Sequence, residues 1–112
     1  MVSIATFRQM ALAFEEAIEE PHFEKTSFRV NKKIFATLDI TACKAVVKLS
    51  AVDQSVFCAY DASIIYPIPN KWGLQGWTMI ELRTVKKSML KDALTASYCN
   101  TAQKRLSEKY RQ

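Results

Sequence analysis

The segment from Asn70 to Leu82 constrains the fold more than any other part of this chain. It reads N-K-W-G-L-Q-G-W-T-M-I-E-L and contains both tryptophans and both glycines of the 112-residue protein. Glycine is used where the backbone needs a positive φ angle or a close approach to another segment. Because Gly73 and Gly76 bracket only two residues, we predict a tight loop between Trp72 and Trp77, followed by a strand.

Length and composition predict one domain that spans residues 1–112. Apolar residues make up 49% and charged residues 24%, which is ordinary for a globular protein. The longest apolar runs have four or five residues, and a membrane span needs about 20. The N-terminus lacks the pattern of a signal peptide. We therefore expect a cytoplasmic protein that does not interact with membranes, and we read Cys43, Cys58 and Cys99 as free buried thiols.

Apolar spacing in the first half of the chain predicts one helix and three strands. A helical stripe runs from Ser3 to Ile18, and Pro21 follows it as a stop signal. Strands are predicted from Phe23 to Val30, from Lys33 to Ile40 and from Lys44 to Leu49. In the second of these strands, alternation assigns Ile34, Ala36, Leu38 and Ile40 to the inner face and Phe35, Thr37 and Asp39 to the outer face.

The second half of the chain continues with a helix, two strands and a long final helix. Ser50 is a candidate cap for a helix whose predicted inward stripe is Val52, Val56, Phe57 and Tyr60. Strands follow from Ser63 to Ile68, where Pro67 and Pro69 indicate a sheet edge, and from Trp77 to Leu82. The last helix begins near Thr84. The order α-β-β-β-α-β-β-α predicts a two-layer α+β domain, with a five-strand, mainly antiparallel sheet covered by helices on one face.

Charge is unevenly distributed along the chain. The net charge is +5, and residues 83–112 contain eight of the sixteen basic residues but only two of the eleven acidic ones. Acidic side chains crowd the predicted end of the first helix: Glu15, Glu16, Glu19, Glu20 and Glu24. Since acid at a helix C-terminus opposes the helix dipole, we expect a basic partner nearby. If the last helix packs there, much of its charge is neutralised within the fold.

Several motifs together resemble the MmcQ/YjbR family of small bacterial proteins. They are Tyr66-Pro67-Ile68-Pro69-Asn70-Lys71-Trp72-Gly73, Gly76-Trp77-Thr78, Glu81-Leu82 and Lys87-Ser88-Met89-Leu90. The resemblance implies a fold related to secretion chaperones and to the frataxin-like CyaY shape, and it carries a predicted DNA-binding function. The commoner family pattern has a basic residue and a histidine near the first tryptophan, whereas this chain has only Lys71 there.

Catalytic chemistry finds little support in the sequence. His22 is the only histidine, and it stands beside a proline with few polar neighbours. Glu15 and Glu19 share a helix spacing, but a solvated acidic face explains them better than a general acid–base pair. No phosphate-binding glycine loop and no metal-ligand spacing are found. We therefore expect a protein that is not an enzyme and that uses no cofactor or metal.

A binding function has more support, with DNA as the candidate ligand. The predicted outer face of the sheet collects basic and aromatic residues: Arg29, Lys33, Phe35, Lys44, Lys48, Trp77 and Met79. Lysines suit phosphate contacts and aromatic rings suit base stacking. The candidate site residues are Lys33, Lys44, Lys48, Lys71, Trp72 and Trp77. Large aromatic residues are, however, buried on average, so the first expectation is that the tryptophans lie in the core or pin the loop. Lysines on a sheet surface also serve solubility.

The alternative is a protein-interaction or chaperone-like module without a nucleic-acid role. It would use the same sheet face or the tryptophan loop, since interface tryptophans often anchor protein partners. A homodimer is one form of this alternative.

Overall fold

The computed structural model describes residues 2–110, which form five helices and six strands. The helices are α1 (Ile4–Leu12), α2 (Ala51–Tyr60), α3 (Lys71–Leu74), α4 (Lys87–Thr101) and α5 (Lys104–Ser107). The strands are β1 (Ile18–His22), β2 (Lys25–Val30), β3 (Lys33–Asp39), β4 (Lys44–Lys48), β5 (Ile65–Pro67) and β6 (Trp77–Glu81). No helix within residues 2–110 is long and apolar enough to cross a membrane.

The strands form one open, antiparallel sheet in the order β1-β2-β3-β4-β6-β5. Helices α1, α2 and α4 pack on one face, which we call the inner face, and they enclose the core there. The other face is called the outer face. The predicted two-layer α+β class is therefore confirmed, and β5 lies at an edge as its prolines indicated.

The predicted number of strands was wrong because the first helix is shorter than its apolar stripe. Helix α1 ends at Leu12, and Glu16 adopts a positive φ of 64° that turns the chain. Ile18 to His22 then pairs with β2 as an additional edge strand. Proline is tolerated in an edge strand because its missing N–H faces away from the ladder, so Pro21 lies within β1 rather than ending a helix.

A β-bulge in β3 overturns part of the predicted alternation. The register passes from Phe28 opposite Ala36 to Arg29 opposite Ile34, which leaves Phe35 as an additional residue. Phe35 is fully buried in the core, whereas Ile34 lines the outer face. The prediction had these two side chains reversed, so Phe35 does not belong to the outer basic and aromatic surface.

Aromatic rings join α4 and the segment after α1 to the sheet. Phe14 stacks on Tyr98 at a centroid distance of 4.7 Å and meets Phe35 edge-on at 6.1 Å. The Tyr98 hydroxyl donates a hydrogen bond of 2.5 Å to the carbonyl of Glu15. Such aromatic pairs add about 0.5–1.5 kcal/mol beyond the burial of their surface. They hold α4 and the segment after α1 against the same part of β3.

Helix α2 is capped as predicted, but most of the side chains predicted to point inward are exposed to solvent. The backbone N–H of Asp53 donates to the Ser50 hydroxyl at 3.1 Å. Phe57 packs against the core, while Val52 and Val56 are 73% and 64% exposed. The inward stripe predicted for α2 was therefore wrong except at Phe57.

Ion pairs connect the acidic segment after α1 with the basic end of the chain. Arg105 donates to both carboxylate oxygens of Glu16, at 3.0 and 3.3 Å, and Lys109 pairs with Glu15. The hydrogen bonds to Glu16 raise the pKa of Arg105. The expected basic partner is thus confirmed, and two of the C-terminal cations are neutralised inside the fold.

The three cysteines form no disulfide with one another, as expected, but they are not buried. Cys43, Cys58 and Cys99 are all partly exposed. Partial burial raises the pKa of the Cys58 thiol. The prediction of buried thiols was therefore wrong.

Candidate functional site

The loop between the two tryptophans is fixed by backbone contacts that only glycine permits. A Cβ atom on Gly73 would lie 1.9 Å from the Ile68 carbonyl oxygen, and one on Gly76 would lie 2.0 Å from that of Leu49. Gly76 also has a φ of +105°, which other residues rarely adopt. Its carbonyl accepts a hydrogen bond of 2.9 Å from the Leu49 N–H. The predicted tight loop is confirmed.

Side chains pin the same loop from two directions. The Asn70 side chain accepts a hydrogen bond of 2.8 Å from the N–H of Trp72 and so starts α3. From α2, Gln54 Nε2 donates to the Gly73 carbonyl at 2.9 Å and to Thr78 Oγ1 at 3.0 Å. These contacts hold Trp72 in a set position relative to Trp77, because they join the loop to both α2 and β6.

Both tryptophans line a shallow cavity of about 340 Å³ on the outer face of the sheet. We call it the aromatic groove, and it is formed by His22, Lys25, Ile34, Thr37, Val46, Ile68, Trp72 and Trp77. Trp72 is 48% exposed and Trp77 is partly exposed. The first expectation was that the tryptophans lie in the core or pin the loop, and the core part of it was therefore wrong. Their rings are accessible to a ligand.

A second cavity, of about 490 Å³, adjoins the first. Four cationic side chains line it, and we call them the cationic rim: Arg29, Lys32, Lys33 and Lys48. Asn100 and Thr101 at the end of α4 complete its wall, and no acidic residue lines it. Ile34 and Trp77 line both cavities, so Trp77 lies at the boundary between an aromatic surface and a basic one.

The β2–β3 turn positions part of the cationic rim. Asn31 and Lys32 have φ angles of 52° and 66° between the paired residues Val30 and Lys33. This is the geometry of a two-residue hairpin turn. It places two consecutive lysines at the rim.

Most of the charge on the cationic rim is uncompensated. Arg29 pairs with Glu20 at 3.3 Å. Within residues 2–110, Lys32, Lys33 and Lys48 form no ion pair. Three ammonium groups are therefore available to an anion.

Two lysines lie over the tryptophan rings. The ammonium nitrogen of Lys48 is 5.3 Å from the centroid of Trp77, and that of Lys71 is 5.6 Å from the centroid of Trp72. Exposed cation–π contacts of this kind contribute about 0.5–1 kcal/mol. Each tryptophan therefore has a positive charge beside its ring.

Lys44 is separated from the other candidate residues. It lies at the opposite end of β4 from Lys48, roughly 13 Å along the strand at about 3.3 Å per residue. Its ammonium pairs with Glu81 at 3.3 Å, and Glu81 also accepts a hydrogen bond from the Tyr66 hydroxyl. The interaction with Glu81 raises the pKa of Lys44 and, together with burial, that of Tyr66. Lys44 is therefore already neutralised by a neighbour.

The structure thus brings five of the six predicted site residues to one region: Lys33, Lys48, Lys71, Trp72 and Trp77. Lys33 was predicted on the outer face, but it pairs with the core residue Val30 and therefore lies at the end of the sheet on its helical side. The prediction missed Lys32, Ile34 and Ile68. Turn geometry could have indicated Lys32, whereas Ile34 and Ile68 carry no local signal. His22 lines the aromatic groove and contacts Phe23 edge-on at 4.8 Å. No cluster of metal-ligating residues occurs among the described residues.

Comparison with known proteins identifies the family. The YjbR family model matches residues 12–100. The chain belongs to the YjbR family. A crystal structure of the Deinococcus radiodurans protein DR2400, which has a DUF419 domain, superposes with a TM-score of 0.79 at 20% identity. The match covers 98% of this chain and 88% of that one, and at this identity it shows a common fold. No curated protein matches the sequence significantly.

Proposed function

We propose that this YjbR protein is a non-enzymatic nucleic-acid-binding protein that takes DNA with unpaired bases on the outer face of its sheet. The position of Trp77 carries the proposal, because this residue lines both the aromatic groove and the cationic rim. A nucleotide has the same two parts, a planar base and an anionic phosphate. One ligand of this class would meet both surfaces at once.

The aromatic side of the site favours unpaired bases. Stacking on a tryptophan requires an open base face, which a duplex does not offer. Trp72 lies in a loop held by Gln54 and the two glycines, so its backbone has little freedom to lose on binding. Ile34 and Val46 supply an apolar floor between the strands.

The cationic side supplies phosphate contacts and a salt dependence. Lys33 and Lys48 are unpaired within the described residues and line the same cavity. Each phosphate neutralised on a single strand contributes about 0.7 to the slope of log affinity against log salt. If both lysines contact phosphates, replacing them should measurably reduce the slope of log affinity against log salt.

The test is an anisotropy titration of short labelled single strands, and of the matching duplex, at several salt concentrations. We expect the single strand to bind more tightly. In the Lys33→Ala/Lys48→Ala variant the slope should decrease by about 1.4. The control is Lys86→Ala/Lys104→Ala, which loses the same charge outside the cationic rim. Absence of binding at low salt, or equal slopes in both variants, would rule the proposal out.

A protein-interaction module is the second candidate, and exposed apolar side chains near the aromatic groove favour it. Phe23, which contacts the groove residue His22, is 95% exposed, and Leu74, two residues after Trp72, is 92% exposed. Such residues are typical of surfaces that bind proteins. Size-exclusion chromatography with light scattering, with and without DNA, distinguishes the two candidates. A stable dimer that DNA leaves unchanged favours the second.

A further inference from the structure

A third cavity lies on the helical side of the protein, away from the outer face. It is an apolar groove of about 350 Å³ between α1 and α4, which we call the helix groove. Its apolar lining consists of Met10, Ala13, Phe14, Leu94 and the ring of Tyr110. Phe14 and Leu94 are core residues, so the floor of the groove is continuous with the core. A volume of this size is at the lower end of the range for small-molecule sites.

Two lysines of α4 line the same groove. Lys87 and Lys91 are four residues apart, so they lie on one face of the helix and repel each other. Lys87 also lies in the first turn of α4, where the helix dipole disfavours cations. Within residues 2–110 neither lysine forms an ion pair, and no acidic residue lines the groove. The local sequence therefore leaves two positive charges beside an apolar surface with no internal compensation.

We infer that the helix groove binds a single-chain amphipathic anion, namely an alkyl chain that ends in a carboxylate. The chain would lie against Met10, Phe14 and Leu94, where it removes apolar surface from water. The carboxylate would accept hydrogen bonds from Lys87 and Lys91 and relieve their mutual repulsion. This site is separate from the proposed nucleic-acid site and does not depend on it.

The tryptophans provide a way to locate the binding. Both indole rings line the aromatic groove on the outer face, and neither lines the helix groove. Ligand in the helix groove should therefore leave the tryptophan emission unchanged. Ligand on the outer face should change it.

The experiment is calorimetric titration with sodium dodecanoate below its micelle concentration, with tryptophan emission recorded in parallel. We expect one site per chain and constant emission. The Lys87→Ala/Lys91→Ala variant should bind about tenfold more weakly, as expected for the loss of two exposed charge contacts. The charge-matched control Lys86→Ala/Lys104→Ala should stay within about twofold of the unmodified protein. Dodecyltrimethylammonium should not bind.

A second variant tests the apolar part of the groove. Met10→Asp places a carboxylate in the lining at a partly exposed position, and circular dichroism checks that the fold is retained. It should abolish dodecanoate binding. The inference is overturned by absence of binding in the unmodified protein, by equal binding in the Lys87→Ala/Lys91→Ala variant, or by a change in tryptophan emission. Binding to anionic vesicles without binding of free dodecanoate would also overturn it.

Discussion

The ammonium group of Lys48 lies 5.3 Å from the centroid of the Trp77 ring, and the two residues are direct neighbours across β4 and β6. One cross-strand pair therefore supplies both parts of the site: Lys48 gives the cation and Trp77 gives the ring. Because the pairing is part of the sheet ladder, its geometry does not depend on a flexible loop.

The two tryptophans should dominate binding of single-stranded DNA. Replacing Trp77 or Trp72 with alanine should weaken binding by about 1–3 kcal/mol each, the usual contribution of one stacked base. The measurement is the anisotropy titration at fixed salt. Tyr60→Ala is the control, because Tyr60 is an exposed aromatic residue on α2 that lines neither cavity of the site. An equal effect of all three variants would argue against stacking at this site.

Alanine substitutions of Lys44 and Lys48 should differ in their effect on DNA binding, although both residues belong to β4. Lys44 is paired with Glu81, so Lys44→Ala should change DNA affinity less than about twofold. Lys48→Ala should reduce the salt slope by about 0.7, since Lys48 has no carboxylate partner among residues 2–110. Salt-dependent titration of the two single variants compares them directly. A larger effect at Lys44 would move the site to the other end of β4.

Gly73 and Gly76 should tolerate no side chain. Alanine at either position would place its Cβ within about 2 Å of a backbone oxygen, and at Gly76 it would also have to adopt a φ of +105°. We expect each variant to lose at least about 2 kcal/mol of unfolding free energy. Urea denaturation measures the loss. Leu74→Ala in the same loop is the control, with a change below about 0.5 kcal/mol because Leu74 is exposed.

Stability should fall at alkaline pH because of Tyr98. Burial raises the pKa of Tyr98 from 10.0 to about 12. Between these values the unfolded chain has lost the tyrosine proton while the folded chain keeps it. The unfolded state therefore binds fewer protons, and the unfolding free energy decreases as pH rises. The contribution is fully present below pH 10 and is lost by about pH 12.

The control for this pH dependence is Tyr98→Phe. The variant loses the hydrogen bond to Glu15, at a cost of about 0.5–1.5 kcal/mol at neutral pH. It should show a smaller decrease of stability between pH 10 and 12 than the unmodified protein. Urea denaturation across this range provides the comparison. Parallel curves for the two proteins would show that Tyr98 does not cause the decrease.

Local sequence patterns determined the parts of this protein that depend on neighbouring residues. The β2–β3 turn, the Ser50 cap and the glycine-dependent loop follow from backbone preferences and short hydrogen bonds. The alternation of β6 also predicted that Trp77 and Met79 lie on the outer face, and the structure has them there. Those signals, with the family resemblance, indicated the fold class, and five of the six predicted site residues lie together in the structure.

Tertiary structure decided the features that depend on contacts distant in sequence. Ile18 to His22 became a strand because pairing with β2 outweighs the helical periodicity of a short amphipathic stretch. The side chain of Phe35 points into the core because the bulge adds one residue to the strand, and it packs there against the rings of Phe14 and Tyr98. The neutralisation of Lys44 by Glu81 follows from a register between strands far apart in sequence. Strand register and packing are set by the whole core, so no local pattern specifies them.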